Sequence, residues 1–398
     1  MEQHGKILRR EESGFSLIEL IIYMALLGIL MTMVFRSFTP IMQTSSRQWR
    51  MAETKVETGV GLGLLRSDLE HAGFGLPWEF PAGVTPSPYL EPVATPAMND
   101  APNVPRAVTS QDASALGINN GADYLAIKAL NVTTGVSSQK WGWLWRDVNH
   151  DAAIQSLSDD VFANADRVIV IRPKVSLGHN RQLVLDGTNY FARPTSIPDL
   201  TPFAPPGEAF DPRGERYLVY GIDNIDPRRP FNRTDYYINN AAVPAHCAPG
   251  TGSLVKATLN QANDSFTVMP IVDCVADFQV VYYLDTNGDG GWDTRVDASG
   301  LAGLTAAQIR DQVKFIRCYV LTHEGGVDPT YTHPNVNKNV GEIDPLVVNA
   351  LPTRDPDSTA PGVLLAGRAF NLNANIGATW ANYRWKVYSL AVTPRNLQ

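Results

Sequence analysis

An alternating run of oxygen-bearing side chains stands at Asp285-Thr286-Asn287-Gly288-Asp289-Gly290-Gly291-Trp292-Asp293. Ligands at every second position, with glycine at the sixth for a tight turn, reproduce the first half of an EF-hand calcium loop. Asp285, Asn287 and Asp289 would supply side-chain oxygens, Gly291 its carbonyl, and Asp293 a direct or water-bridged ligand. The twelfth position breaks the pattern, because Val296 stands where a bidentate Glu belongs and Asp297 is the nearest substitute. A Ca2+ held there would be structural, since hard oxygen ligands support no redox chemistry. The competing reading is a hairpin turn, because Asn-Gly and Asp-Gly favour positive φ.

Sulfur offers a second chemistry. The three cysteines fit none of the spaced clusters that bind zinc, iron–sulfur or haem. Cys247 and Cys274 lie in turn-like surroundings, and Cys318 lies in an apolar run. In an exported domain a Cys247–Cys274 disulfide and a buried Cys318 thiol are expected. Such a bridge would contribute ~3–4 kcal/mol in the chain-entropy model. In a reducing compartment all three would be unpaired core residues. No enzyme signature accompanies them: His323-Glu324 is followed by Gly325-Gly326 rather than a helical partner His, and nucleophile-elbow, P-loop and dinucleotide patterns are absent. His323 reads as a turn residue closing a strand.

The third candidate is one carboxylate in the wrong solvent. Residues 1–14 are polar and carry Lys6, Arg9 and Arg10, and an apolar run then extends from Phe15 to Phe35 with Glu19 inside it. As a helix that run is ~31 Å long, enough to cross a bilayer core. Basic residues before it place the N-terminus in the cytoplasm and the rest outside. A carboxylate at mid-bilayer costs roughly 2.5–3.5 kcal/mol, less near the edge. Cleavage between Gly14 and Phe15 would create an α-ammonium one turn from Glu19. In a helical assembly, Glu19 of one subunit could then neutralise Phe15 of its neighbour. The alternative is that Glu19 snorkels to the headgroups.

Gly14 followed by Phe15-Ser16-Leu17-Ile18-Glu19-Leu20 resembles the processing site of type IV prepilins. The resemblance implies that a prepilin peptidase cuts after Gly14 and methylates Phe15, and that Glu19 guides assembly. The motif is common to pilins and to type II secretion and competence pseudopilins. Further pieces are similar to PilW-type minor pilins: Arg66-Ser67-Asp68, Ala72-Gly73-Phe74, Arg229-Pro230-Phe231-Asn232-Arg233-Thr234-Asp235-Tyr236-Tyr237-Ile238, Cys247-Ala248-Pro249-Gly250-Thr251-Gly252, Asp273-Cys274-Val275-Ala276-Asp277-Phe278-Gln279-Val280 and Arg395-Asn396. They imply a low-abundance subunit that helps start a pilus and sits near its tip. Its partners would then be other minor pilins, the major pilin and a tip adhesin.

The rest of the chain must carry these groups. With 28 prolines, 31 glycines and 18% charged residues, it favours strands and long loops over helical bundles. A net charge of -7 argues against nucleic acid, which needs a basic face. Beyond the span, Trp49, Ala52, Val56, Val60 and Leu64 recur at helical spacing and predict the face that packs on a domain. Pro40 should kink this helix, and Gly73 and Gly75 should end it. Close packing against a sheet is one explanation of Gly59, Gly61 and Gly63, and local fraying is the other. Eight prolines between Pro77 and Pro105 predict an extended loop over the domain, with a second such stretch from Arg193 to Pro212. Strands are expected at Asp123–Val132, Arg167–Arg172, Gln182–Leu185, Arg216–Ile222, Asp235–Ile238, Ala276–Leu284, Val313–Thr322 and Tyr383–Val392. A short helix capped by Thr305 and Gln308 should precede the Val313 strand.

The expected organisation is a leader at 1–14, a transmembrane and spine helix at 15–75, and an extracytoplasmic β-rich head at 76–398. The fold class is α+β with a mainly antiparallel sheet. The expected protein is non-enzymatic, resident in the inner membrane with a periplasmic head before assembly and in an extracellular pilus afterwards. The rival functions are a minor pseudopilin of a type II secretion machine and a calcium-dependent surface-binding module.

Overall fold

A computed structural model describes residues 16–113, 121–173, 180–206, 215–343 and 364–397. The chain falls into two compact units, Met1–Glu53 and Thr54–Gln398. One helix, α1 (Leu17–Glu70), contributes residues to both. In the first unit, Leu17–Phe38 is long and apolar enough to cross a membrane, and none of it is buried within the chain. The hydroxyl of Thr32 donates to the Gly28 carbonyl at 2.7 Å, so this polar side chain is satisfied inside the helix. Helical backbone continues through position 40.

In the second unit the helix turns an unexpected side to the core. Thr54, Thr58, Gly61, Leu65, Asp68 and Leu69 are buried, whereas Val56 and Val60 are 67% and 63% exposed. Trp49 and Leu64 are exposed too. The apolar spacing located a stripe, but packing selected a neighbouring face with small and hydroxyl side chains. Two polar anchors explain the choice. Asp68, buried, accepts from the Tyr236 hydroxyl at 2.6 Å and pairs with Lys256 at 2.5 Å. Arg395 donates its backbone N–H to the Glu70 carbonyl at 2.9 Å and its guanidinium to the Glu70 carboxylate at 2.8 Å, which satisfies the end of the helix. Gly73 and Gly75, both at positive φ, complete the stop.

The strands in chain order are β1 (Val108–Asp112), β2 (Asp123–Lys128), β3 (Trp141–Arg146), β4 (Ala152–Ser156), β5 (Arg167–Arg172) and β6 (Gln182–Leu183). Next come β7 (Phe191–Ala192), β8 (Tyr217–Asp223), β9 (Arg233–Asn239), β10 (Gly252–Leu259) and β11 (Phe266–Leu284). The last are β12 (Thr294–Val296), β13 (Val313–Glu324), β14 (Asn337–Ile343), β15 (Leu364–Asn371) and β16 (Arg384–Val392). Antiparallel pairing orders the main sheet β1-β2-β9-β10-β11-β13-β16, with β12 hairpinned onto β11. A second sheet runs β4-β3-β8-β5-β6, and β14 and β15 form a separate hairpin. The fold is therefore α+β, with one helix against a mainly antiparallel sheet.

Both faces of the main sheet are covered where β11 and β13 cross its middle. Phe278, Val280, Ile316, Cys318 and Val320 point into the core shared with Leu65, Leu69 and Ala72 of the helix. Val281, Tyr319 and Leu321 point the other way, onto Val340, Phe370 and Trp385. Alternation along the strand thus builds two cores from one sheet. Thr305 and Gln308 form a capping box on the helix at Ala306–Gln312.

Gly61 is where helix and strand meet most closely, since a β-carbon there would overlap the carbonyl oxygen of Ile271 in β11. Gly59 and Gly63 have open space beyond them, so close packing accounts for one glycine of the three. Gly61→Ala is expected to lower stability by about 1–3 kcal/mol through overpacking. Gly59→Ala and Gly63→Ala should raise it by about 0.5–1 kcal/mol through helix propensity. Urea melts of the three variants in detergent check this, and equal loss in all three would show that the close approach is not specific to Gly61.

Candidate functional site

Glu19 sits in the first turn of α1, and its carboxylate accepts the backbone N–H of Ser16 at 3.0 Å. The free amides and positive dipole of a helix N-terminus favour an acid there. Among the described residues Glu19 forms no ion pair, and Leu17, Ile18, Leu20 and Ile21 around it are all exposed. Gly14 and Phe15 lie outside the described residues. A carboxylate on an uncovered apolar cylinder can recruit a cation from a neighbouring chain, and it cannot perform acid–base catalysis without a concave site around it.

The Asp-rich run forms the turn between β11 and β12. Asp285 accepts the amides of Gly288 and Gly290 at 2.6 and 2.9 Å, and Lys314 stands 3.4 Å from the same carboxylate. Asn287 accepts the Asp289 amide at 2.9 Å, and Asp289 accepts the Gly291 amide at 2.8 Å. The hydroxyls of Thr286 and Thr294, at 2.6 and 2.7 Å, hold the Asp293 carboxyl down at about 2. Gly288 and Gly290 take the positive φ that such a turn requires. The acidic oxygens are thus engaged with the loop's own donors. Among the described residues the group of acidic, His and Cys side chains close enough to share a metal ion is His246, Cys247 and Cys274, not the loop aspartates.

Those two cysteines are joined in a disulfide that ties the turn before β10 to β11. Cys318 is free and fully buried on β13, and burial pushes its thiol well above the usual range. An inert core thiol results. His323 differs from its expected turn position: it lies within β13 and is fully buried. The Ala248 amide donates to its Nε2 at 2.9 Å, and its Nδ1 lies 3.0 Å from the Gly325 carbonyl. Only the neutral ring, with its proton on Nδ1, satisfies both contacts. Burial, helped by His246 nearby, lowers its pKa to about 3 against the opposing bond to Gly325.

Sequence reasoning missed the densest polar cluster. Arg229, Arg233, Asp235 and Lys128 are completely buried. Lys128 donates to Glu91 at 2.9 Å and pairs also with Asp100, and Arg106 donates to Asp100 at 2.5 Å. Arg233 grips Asp235 at 2.7 and 2.6 Å, Tyr124 donates to the same carboxylate at 2.5 Å, and Arg229 reaches the Leu90 carbonyl at 2.9 Å. Glu91 and Asp100 belong to the proline-rich segment, and their partners lie on or beside β2 and β9. Prolines cannot donate to a ladder, so charged side chains fasten the segment instead. Every charge named here has a partner, which makes the cluster a clasp rather than a reactive centre. The signal was present in the pairing of Arg-Pro-Phe-Asn-Arg-Thr-Asp with an upstream Glu and Asp, but no spacing rule links segments so far apart.

Compared with known proteins, the chain carries the prokaryotic N-terminal methylation motif, matched over residues 9–35. No curated protein and no solved structure matches it. The motif, the apolar helix and the β-rich domain together support a type IV prepilin-like protein, pilin or pseudopilin, that is anchored in a membrane and assembled with pilus components after prepilin peptidase processing. They point to a structural rather than an enzymatic role.

The buried neutral His323 sets a pH dependence. Its folded pKa is depressed below the unfolded value of ~6.5, so its contribution is intact above pH ~6.5 and is lost as pH falls towards 3. The wild type should lose about 1.4 kcal/mol per pH unit in that window relative to His323→Gln. Parallel stability curves for the two proteins between pH 6.5 and 4 would contradict a buried neutral ring.

Proposed function

We propose that this chain is a minor pilin of a type IV pilus, of the PilW type, that helps initiate assembly and takes a place near the tip. The observation that carries the reading is Glu19, within the methylation motif, in the first turn of a membrane-length helix whose apolar side chains no other described residue covers. After cleavage behind Gly14, the methylated ammonium of Phe15 on one subunit meets Glu19 of the next. Apolar helix packs on apolar helix, and the ion pair fixes axial register. Paired in this way, neither charge is left alone in lipid. The segments shared with PilW-type proteins support the finer assignment, because they include Asp68, Arg233 and Arg395, whose contacts hold the helix and the proline-rich segment on the sheet.

For the Asp-rich loop we propose a weak structural Ca2+ site. Its support is the alternating spacing of Asp285, Asn287, Asp289, Gly291 and Asp293, and Lys314 competes for it. The melting temperature should rise in millimolar calcium relative to chelator, and equal melting in the two removes the metal.

The assembly reading is tested by Glu19→Val. Processing should remain intact by mass, while the chain's content in sheared filaments falls by about tenfold or more. Normal filament content in that variant would reject the ion pair. Deleting the gene separates the machines: loss of surface pili supports the pilin, and loss of secreted enzymes supports a type II pseudopilin.

A further inference from the structure

We propose that Lys256 and Asp68 condense to an amide, so that a covalent bond joins the spine helix to the main sheet. Sheet register brings the groups together. Lys256 of β10 stands directly opposite Tyr236 of β9, which puts both side chains on one face of the sheet. Asp68 of α1 meets them there: Tyr236 Oη donates to its Oδ2 at 2.6 Å, and Lys256 Nζ stands 2.5 Å from the same oxygen. Asp68, Lys256 and Tyr236 are 8%, 6% and 0% exposed, and Tyr236 belongs to the core of Leu65, Leu69, Ile238 and Leu254. Among the described residues the pair has no other ion-pair partner. Lys128 differs, because it faces both Glu91 and Asp100 and shares Asp100 with Arg106. An isolated buried pair can pass its proton from ammonium to carboxylate and become a neutral amine and acid. Burial acts in that direction, since it raises the pKa of Asp68 against the opposing pull of Lys256 and Tyr236. Nζ then attacks Cγ, the Nζ–Cγ bond forms and the Cγ–Oδ2 bond breaks. Tyr236 gives its hydroxyl proton to the departing oxygen and takes one from Nζ, so water leaves and the tyrosine is unchanged. Amine and acid become amide and water, and nothing is oxidised or reduced. Fixed neighbours supply the concentration that this condensation lacks in solution, with effective molarities of ~10⁵–10⁸ M for well-oriented groups.

The test is the mass of the full-length chain purified from membranes in detergent. It should fall short of the sequence by one water, after the disulfide and any N-terminal processing are counted. A tryptic digest should then yield one branched peptide that joins Asp68 to Lys256. Lys256→Arg keeps a cation beside Asp68 but cannot make this bond, so the missing water should return. Tyr236→Phe should leave most of the chain unlinked, since a positioned acid–base group speeds such steps by about 10²–10⁴-fold. A wild-type mass that retains the water, with the two peptides separate, leaves an ion pair and overturns the proposal. A missing water that persists in Lys256→Arg, or that maps to a succinimide at Asp289-Gly290, overturns it as well. A fully linked Tyr236→Phe overturns the role given to the tyrosine.

Discussion

An apolar helical stretch that no other described residue covers is the constraint from which the rest follows. From Leu17 to Phe38 no other described residue covers the apolar surface, which leaves it to lipid or other helices. Burying one large aliphatic side chain is worth about 1.5–3 kcal/mol, and the span carries many. Such a surface suits a chain that exchanges one apolar surrounding for another, as the assembly proposed above requires. In the assembly proposed above, a cation brought by another chain would neutralise the single carboxylate on that surface. Under that proposal, charge would supply what uniform hydrophobic packing lacks, a preferred axial position.

The second unit solves a different problem, that of fixing the spine helix and a proline-rich segment to a sheet without regular backbone pairing. Asp68 is held by Tyr236 and Lys256, and the Glu70 end of the helix is closed by Arg395. Lys128 holds the proline-rich segment through Glu91 and Asp100, Arg229 through the Leu90 carbonyl, and Arg233 through the side chains of Asn99 and Thr95. Buried ion pairs add little net stability over apolar packing, but breaking one costs about 3–5 kcal/mol. They specify where a loop lies more than they strengthen the fold. The disulfide ties the turn before β10 to β11, and the Ala248 contact to His323 ties the same turn to the end of β13.

Much of this architecture was legible in the chain. The methylation motif and the span needed only local spacing, and β5, β11, β13 and β16 announce themselves as apolar or alternating runs. The disulfide partners were legible from their turn-like surroundings on the condition of an exported domain, and the pair is joined in the fold. Other features were hidden for physical reasons. The helix face was misread because Thr54, Thr58 and Gly61 are buried by close approach and polar anchors, to which apolar periodicity is blind. Strand β10, Gly252–Leu259, mixes Lys and Thr with aliphatics because Lys256 reaches Asp68, so its pattern is neither strictly alternating nor continuous. His323 looked like a turn residue beside two glycines, but the strand runs through it to Glu324. In the Asp-rich run the same residues suit a turn and a cation, and spacing alone does not separate the two.

The central claim is that cleavage creates the cation that Glu19 needs. It is tested most directly by the mass of the N-terminal peptide of the chain recovered from membranes and from sheared filaments. The account expects a peptide that begins at Phe15 and carries one added methyl group. A mature chain that still carries residues 1–14 would contradict it.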